Sequence, residues 1–204
     1  TGIAVSDRPE GPFRNLGKVA NVEWGQDPGF FVDGNTPYLV WGGRGEISIA
    51  ELNPDLMSVK PETITNLSND LGGYEGPFLH KYQDRYYLTF PALDNEVWPQ
   101  RMCYGIADNP LGPYKNMGVY IDVYEGNSGT IHGSCVEFQG QWYALYHSAW
   151  VSKTATSRSL MIDKLTYLPD GSIQKIVPSI EGPVAGQTSV EIHLDAAAGK
   201  LWET

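Results

Sequence analysis

Cysteine is nearly absent from the chain: Cys103 and Cys135 are the only two in 204 residues. That excludes a disulfide scaffold and any Cys-x-x-Cys pair, and both thiols read as core residues. Long apolar runs are missing too. Nothing approaches the roughly 18 consecutive apolar residues of a membrane-spanning helix. Basic residues are in short supply, 14 Lys and Arg against 24 Asp and Glu, for a net charge of −10 and a pI near 4.7. A surface of that sign repels phosphate backbones, which argues against nucleic acid and anionic membranes as partners. The opening Thr1-Gly2-Ile3-Ala4-Val5-Ser6-Asp7 has neither a basic n-region nor a long apolar stretch. The chain is therefore intracellular or has lost a leader, and its compartment stays open. No phosphate loop or dinucleotide fingerprint occurs, and Gly126-Asn127-Ser128-Gly129 lacks the spacing of a serine-nucleophile elbow. The histidines, at 80, 132, 147 and 193, show no paired helical spacing, so a tight zinc site is not expected. His80 and His147 read as packing or surface residues.

No segment holds a 3.6-residue apolar period for three turns, and the residues present instead spell an all-β protein. Twenty-three glycines and 14 prolines punctuate short aromatic runs. Examples are Tyr38-Leu39-Val40-Trp41, Tyr86-Tyr87-Leu88-Thr89-Phe90 and Trp142-Tyr143-Ala144-Leu145-Tyr146. Such runs favour strands and are too short for amphipathic helices. With 41% hydrophobic and 19% charged residues, the chain has enough apolar surface for a real core.

Self-comparison adds more. Asp7-Arg8-Pro9-Glu10-Gly11-Pro12-Phe13-Arg14-Asn15-Leu16-Gly17 returns as Asp108-Asn109-Pro110-Leu111-Gly112-Pro113-Tyr114-Lys115-Asn116-Met117-Gly118. A second repeat occurs three times: a polar residue, an apolar one four positions on, a turn, then a tyrosine opening an aromatic strand. Its members are Asp27 with Phe31 and Tyr38, Glu75 with Leu79 and Tyr87, and His132 with Val136 and Tyr143. Each unit reads as an antiparallel hairpin. The units start 48 and 57 residues apart, close to the spacing of four-stranded propeller blades. The innermost strand of each blade lines a central channel, so Asp27, Glu75 and His132 are expected to converge there.

Three stretches resemble glycoside hydrolase family 43, five-bladed propellers acting on arabinose- and xylose-containing polymers. They are Gln26-Asp27-Pro28-Gly29-Phe30-Phe31-Val32-Asp33-Gly34, Gly73-Tyr74-Glu75-Gly76-Pro77-Phe78-Leu79-His80-Lys81, and Thr130-Ile131-His132-Gly133-Ser134-Cys135-Val136-Glu137-Phe138. The tail Arg158-Ser159-Leu160-Met161-Ile162-Asp163 continues the likeness. The resemblance implies an inverting α-L-arabinofuranosidase or β-xylosidase that trims plant hemicellulose and arabinan side chains. Glu75 would be the general acid and Asp27 the carboxylate that tunes and positions it. Arg158 would reach the sugar. His132 would sit near the axis, contacting substrate or a hydrated ion, often calcium, through water; the chemistry itself needs no cofactor. The substrate partner would be an arabinose- or xylose-containing oligosaccharide. Inversion needs two carboxyl groups roughly 6.5–9.5 Å apart, one protonated and one activating water.

The family's general base is an aspartate that opens its first blade, and residues 1–7 already resemble the end of the second. The chain is thus expected to supply a little over three blades, with residues 1–181 as a partial propeller and the base missing. Such a propeller would leave strand edges and apolar faces open. A second polypeptide completing the ring, association of copies, or a partial sequence would each account for this. Residues 182–204, with Ser189-Val190-Glu191-Ile192-His193-Leu194, read as a closing strand or the start of a linker. Among the aromatics, most of those inside blades read as core. Trp24, Trp98 and Trp150 lie in or beside loops and are the better candidates for lining a sugar pocket, Trp24 and Trp98 foremost, with Trp98 in a turn-like Glu96-Val97-Trp98-Pro99. The rival readings are a non-catalytic glycan-binding propeller and an inactive fragment that needs its missing part.

Overall fold

A computed structural model describes residues 1–183. The expected strand over 189–194, and nearly all of the 182–204 segment, lie outside the described residues. The fold is almost entirely β, arranged as four antiparallel sheets. Strands β1 (Gly2–Val5) and β2 (Arg14–Lys18) form a two-stranded sheet. A four-stranded blade follows in the order β3 (Gln26–Asp33), β4 (Thr36–Gly43), β5 (Glu46–Glu51) and β6 (Thr65–Asn66). The next blade runs β7 (Phe78–Tyr82), β8 (Arg85–Asp94), β9 (Val97–Ala107) and β10 (Lys115–Ile121). The last described sheet is β11 (Gly133–Phe138), β12 (Gln141–Ser148) and β13 (Ser159–Leu165). One helical turn, Ser68–Leu71, interrupts the pattern and ends on Gly72 in the left-handed conformation. This is a partial five-bladed propeller of about three blades.

Both repeats have a structural cause. Gly34-Asn35, Gln83-Asp84 and Gln139-Gly140 connect the first two strands of successive blades. Gly34, Gln83, Gln139 and Gly140 take the positive φ that tight hairpin turns require. The longer repeat places Gly11 and Gly112 at φ +90° and +89°, each followed by a cis proline. In both copies the chain then enters a strand that returns along its predecessor, β2 on β1 and β10 on β9. β1 and β2 therefore stand in the same relation as the outer pair of a complete blade.

Blades stack face to face because side chains alternate across each strand. In β8, Tyr86, Leu88 and Phe90 enter the core shared with β3–β6, while Tyr87 enters the core shared with β11–β13. A third, smaller core of Val19, Leu39, Trp41, Ala50, Leu52 and Val59 covers the other side of the β3–β6 blade. The outermost faces carry exposed apolar groups: Phe30 and Val32 at one end of the stack, Val136, Phe138 and Leu160 at the other.

His80 lies between the second and third blades, stacked on Tyr87, with Nε2 2.6 Å from the Tyr167 hydroxyl. Its Nδ1 has no hydrogen-bond partner among the described residues, and burial pushes its pKa down to about 3. The unfolded chain binds this proton at an ordinary imidazole pKa of about 6.5, so acid favours unfolding. Stability is expected to fall as pH drops from about 6.5 toward 3, by at most about 1.4 kcal/mol per pH unit from this group. Urea unfolding at pH 7, 6 and 5, above most carboxylate titration, reads the slope, and His80→Phe is expected to flatten it.

Candidate active site

Asp27 lies in β3 and Glu75 and His132 in the segments that lead into β7 and β11, and one ligand atom from each lies within 4.8 Å of the other two. The local backbone explains how. Asp27 sits in β3 with φ +48°, where the pairing to β4 slips between Gln26 and Gly29. A bulge of this kind turns a side chain out of its regular alternation. Glu75 does not open a strand; it lies in the segment just before β7, followed by Gly76 at φ +52°. His132 immediately precedes β11.

Hydrogen bonds hold the acids in place. The Gly76 N–H donates to Asp27 Oδ2 at 3.3 Å. Glu75 Oε1 accepts from Gln100 Nε2 at 2.8 Å and lies 3.4 Å from His132 Nε2. Glu75 Oε2 accepts a longer bond from the exposed Gln26 amide, at 3.3 Å. The Glu75 side chain is only 14% exposed, so these donors replace water rather than compete with it.

Around this centre, His147 stacks on His132 with ring centroids 5.8 Å apart, and its Nδ1 lies 3.3 Å from Ser128 Oγ. Burial, then the charges of Arg158 and His132, lower the His147 pKa to about 4. Arg158 lines a shallow hollow with His132, His147, Tyr146 and Leu160. Trp98 lies within β9, not in a turn: the reversal is made by Asn95 and Glu96, both at positive φ. Its half-exposed ring meets Tyr74 edge-on at 5.8 Å, beside Glu75. Trp24 lines a different groove, with Trp41, Glu46 and Ile64, and Arg44 lies 5.8 Å over its ring. Gln26, Gln100 and Gly76 contact the cluster although the sequence assigns them no role, and His147, which reads as a packing or surface residue, stacks on His132. A glutamine ahead of the apolar stretch of β9 was the one visible sign of Gln100.

Gly76 leaves no room for a side chain. A Cβ there would meet His132 Nδ1 at 2.7 Å, in a backbone conformation that side chains disfavour. Gly76→Ala is expected to displace His132 and weaken the bond to Asp27. Any turnover the site supports should fall about 100-fold, the cost of a misplacement near 1 Å. Steady-state kinetics beside thermal unfolding separates this from simple loss of fold.

The three clustered groups also form a potential metal-binding cluster. Calcium takes six to eight oxygen ligands, and this set offers two carboxylates and an imidazole nitrogen. N–H donors already occupy Glu75 Oε1 and Asp27 Oδ2. As direct ligands these three would leave most of a calcium shell to water, and the water-bridged contact that the resemblance implies for His132 would ask no coordinate bond of its ring.

Two carboxylates and an imidazole thus meet from three successive blades of a propeller, with Arg158 in a hollow beside His132. The family profile described as Glycosyl hydrolases family 43 matches residues 1–173, and the chain belongs to that family. It is 30% identical over 212 residues to a xylosidase/arabinosidase of Bacteroides ovatus, covering 84% of this chain and 63% of that protein. The structure resembles a Xanthomonas citri GH43_1 enzyme complexed with xylose, with a TM-score of 0.75 and 27% identity, over 87% of this chain and 64% of that one. It also resembles a β-xylosidase/α-arabinofuranosidase from a compost microbial metagenome, in complex with xylotriose in a calcium-free form. That match has a TM-score of 0.74 and 26% identity, covering 86% of this chain and 64% of the other. The chain thus spans less than two thirds of each relative's length.

Proposed function

We propose that the chain carries the acid-bearing part of a glycosidase that removes α-L-arabinofuranosyl or β-D-xylosyl units from hemicellulose and arabinan side chains. The convergence of Asp27, Glu75 and His132 carries this reading. Glu75 protonates the glycosidic oxygen as the bond from the anomeric carbon breaks, and the bonding pair leaves with that oxygen. Water adds to the anomeric carbon from the opposite face and gives its proton to a base.

Asp27 is badly placed to be that base. A ligand oxygen of Asp27 lies within 4.8 Å of one of Glu75, whereas an inverting pair stands roughly 6.5–9.5 Å apart to admit water. Asp27 therefore serves as the tuning and positioning carboxylate, and the base is a third carboxylate outside the cluster. Arg158 and His132 would bind sugar hydroxyls, and Trp98 would stack on a sugar face. The remaining blades of a closed ring, on this or a second polypeptide, would cover the exposed apolar outer faces and bring the base.

The test uses aryl α-L-arabinofuranoside and aryl β-D-xyloside, with and without azide. Azide attacks without losing a proton, so it needs the acid but no base. Release of the aryl alcohol that depends on azide is expected. Release in buffer alone would place the base within this chain. Saturable oligosaccharide binding with no release under either condition would contradict the enzyme reading and favour the glycan-binding propeller.

A further inference from the structure

The buried amide of Gln100 in β9 sits between Glu75 and the backbone of the third blade, and its orientation leaves no choice. Gln100 is fully buried. Its Oε1 accepts the Ile131 N–H at 3.1 Å, which fixes the amide so that Nε2 must face Glu75. Its own backbone is tied on both sides: the N–H donates to the Gly129 carbonyl at 2.8 Å, and its carbonyl accepts from Asn127 Nδ2 at 3.2 Å. A strand residue of the second blade is thus anchored to the segment that delivers His132.

We propose that Gln100 is a positioning residue that decides which oxygen of Glu75 carries the acidic proton. This rests on Glu75 being the general acid. In a carboxylic acid the carbonyl oxygen is the better acceptor, so the short bond from Gln100 makes Oε1 the carbonyl oxygen. His132 Nε2, 3.4 Å away, lies beside the same atom. The proton is left to Oε2, whose one side-chain donor among the described residues is the exposed Gln26 amide at the longer distance of 3.3 Å. That amide can swing aside when a glycosidic oxygen arrives. The proton then passes from Oε2 to the leaving oxygen, and the bond to Gln100 strengthens as Glu75 becomes an anion.

The first measurement needs no turnover. Side-chain amide NMR of the folded chain should show a Gln100 Nε2 proton shifted downfield and protected from exchange. In Glu75→Met, where the acceptor is gone, that proton should move upfield and exchange faster. A Gln100 amide indifferent to Glu75→Met would overturn the proposal. The second uses Gln100→Met, with its folding checked by thermal unfolding, on aryl glycosides of graded leaving-group acidity with azide present. Help from a general acid matters most for poor leaving groups. The variant should lose about 10- to 100-fold on phenyl glycosides and little on dinitrophenyl glycosides. Equal losses on both, or none, would overturn the positioning role, while Glu75→Gln on the same substrates would report separately on the acid itself.

Discussion

Glu75→Gln should abolish most azide-dependent release from substrates with poor leaving groups while leaving oligosaccharide binding in place. General acid catalysis contributes about 10²- to 10⁴-fold, and the amide cannot supply the proton. The substitution is nearly isosteric. An amide in place of the carboxylate can still offer its oxygen to Gln100 Nε2, so the segment between the helical turn Ser68–Leu71 and β7 should keep its path. Loss should therefore appear in kcat far more than in KM. Dinitrophenyl glycosides, whose leaving group departs without protonation, should retain most of their rate. A variant with wild-type turnover on phenyl glycosides would remove Glu75 from the role of acid. A variant that lost affinity and nothing else would assign the site to glycan binding.

Phe90→Ala should cost about 3–5 kcal/mol of stability, the usual range for removing a fully buried aromatic side chain. Phe90 is completely enclosed in the core between the first and second complete blades. It also supports the candidate site. Gly73 lies against its ring, where a Cβ would come within 2.9 Å of Phe90 Cδ2, and the Tyr74 N–H donates to the Pro91 carbonyl at 2.9 Å. The segment carrying Glu75 is thus laid directly over Phe90. Urea unfolding of the variant should show a lower midpoint with little change in slope. A cost below about 1 kcal/mol would mean that the two blades do not share the core described above.

The convergence of Asp27, Glu75 and His132 was legible because a blade is a repeat. Equivalent positions in successive hairpins must arrive at equivalent places, and the recurring tyrosine marks those positions without any structure. Phe31 and Val136 do pair with Tyr38 and Tyr143, although in the middle blade Tyr87 pairs with His80 rather than Leu79. What stayed hidden belongs to single blades. The left-handed backbone of Asp27 has no counterpart at Glu75 or His132 that a pattern could expose. Gln100 occurs once, and its value comes from a contact across 25 residues and another across 31. Trp98 looked like part of a turn because of the proline after it, yet the reversal falls at Asn95 and Glu96 and the strand already includes Trp98. Trp24 looked like a site aromatic from its loop position, but its groove lies on the side of the blade where Trp41 is found.

The division of labour between the two carboxylates is the centre of this account, and the stereochemistry of the first product tests it most directly. Proton NMR of the sugar or glycosyl azide released from an aryl α-L-arabinofuranoside or β-D-xyloside reports the anomeric configuration before it can scramble. With Glu75 as acid and Asp27 only tuning it, attack comes from the opposite face in one step, and the first product should have inverted configuration. A product formed with retention would make Asp27 the nucleophile of a two-step reaction and contradict the roles assigned to both residues.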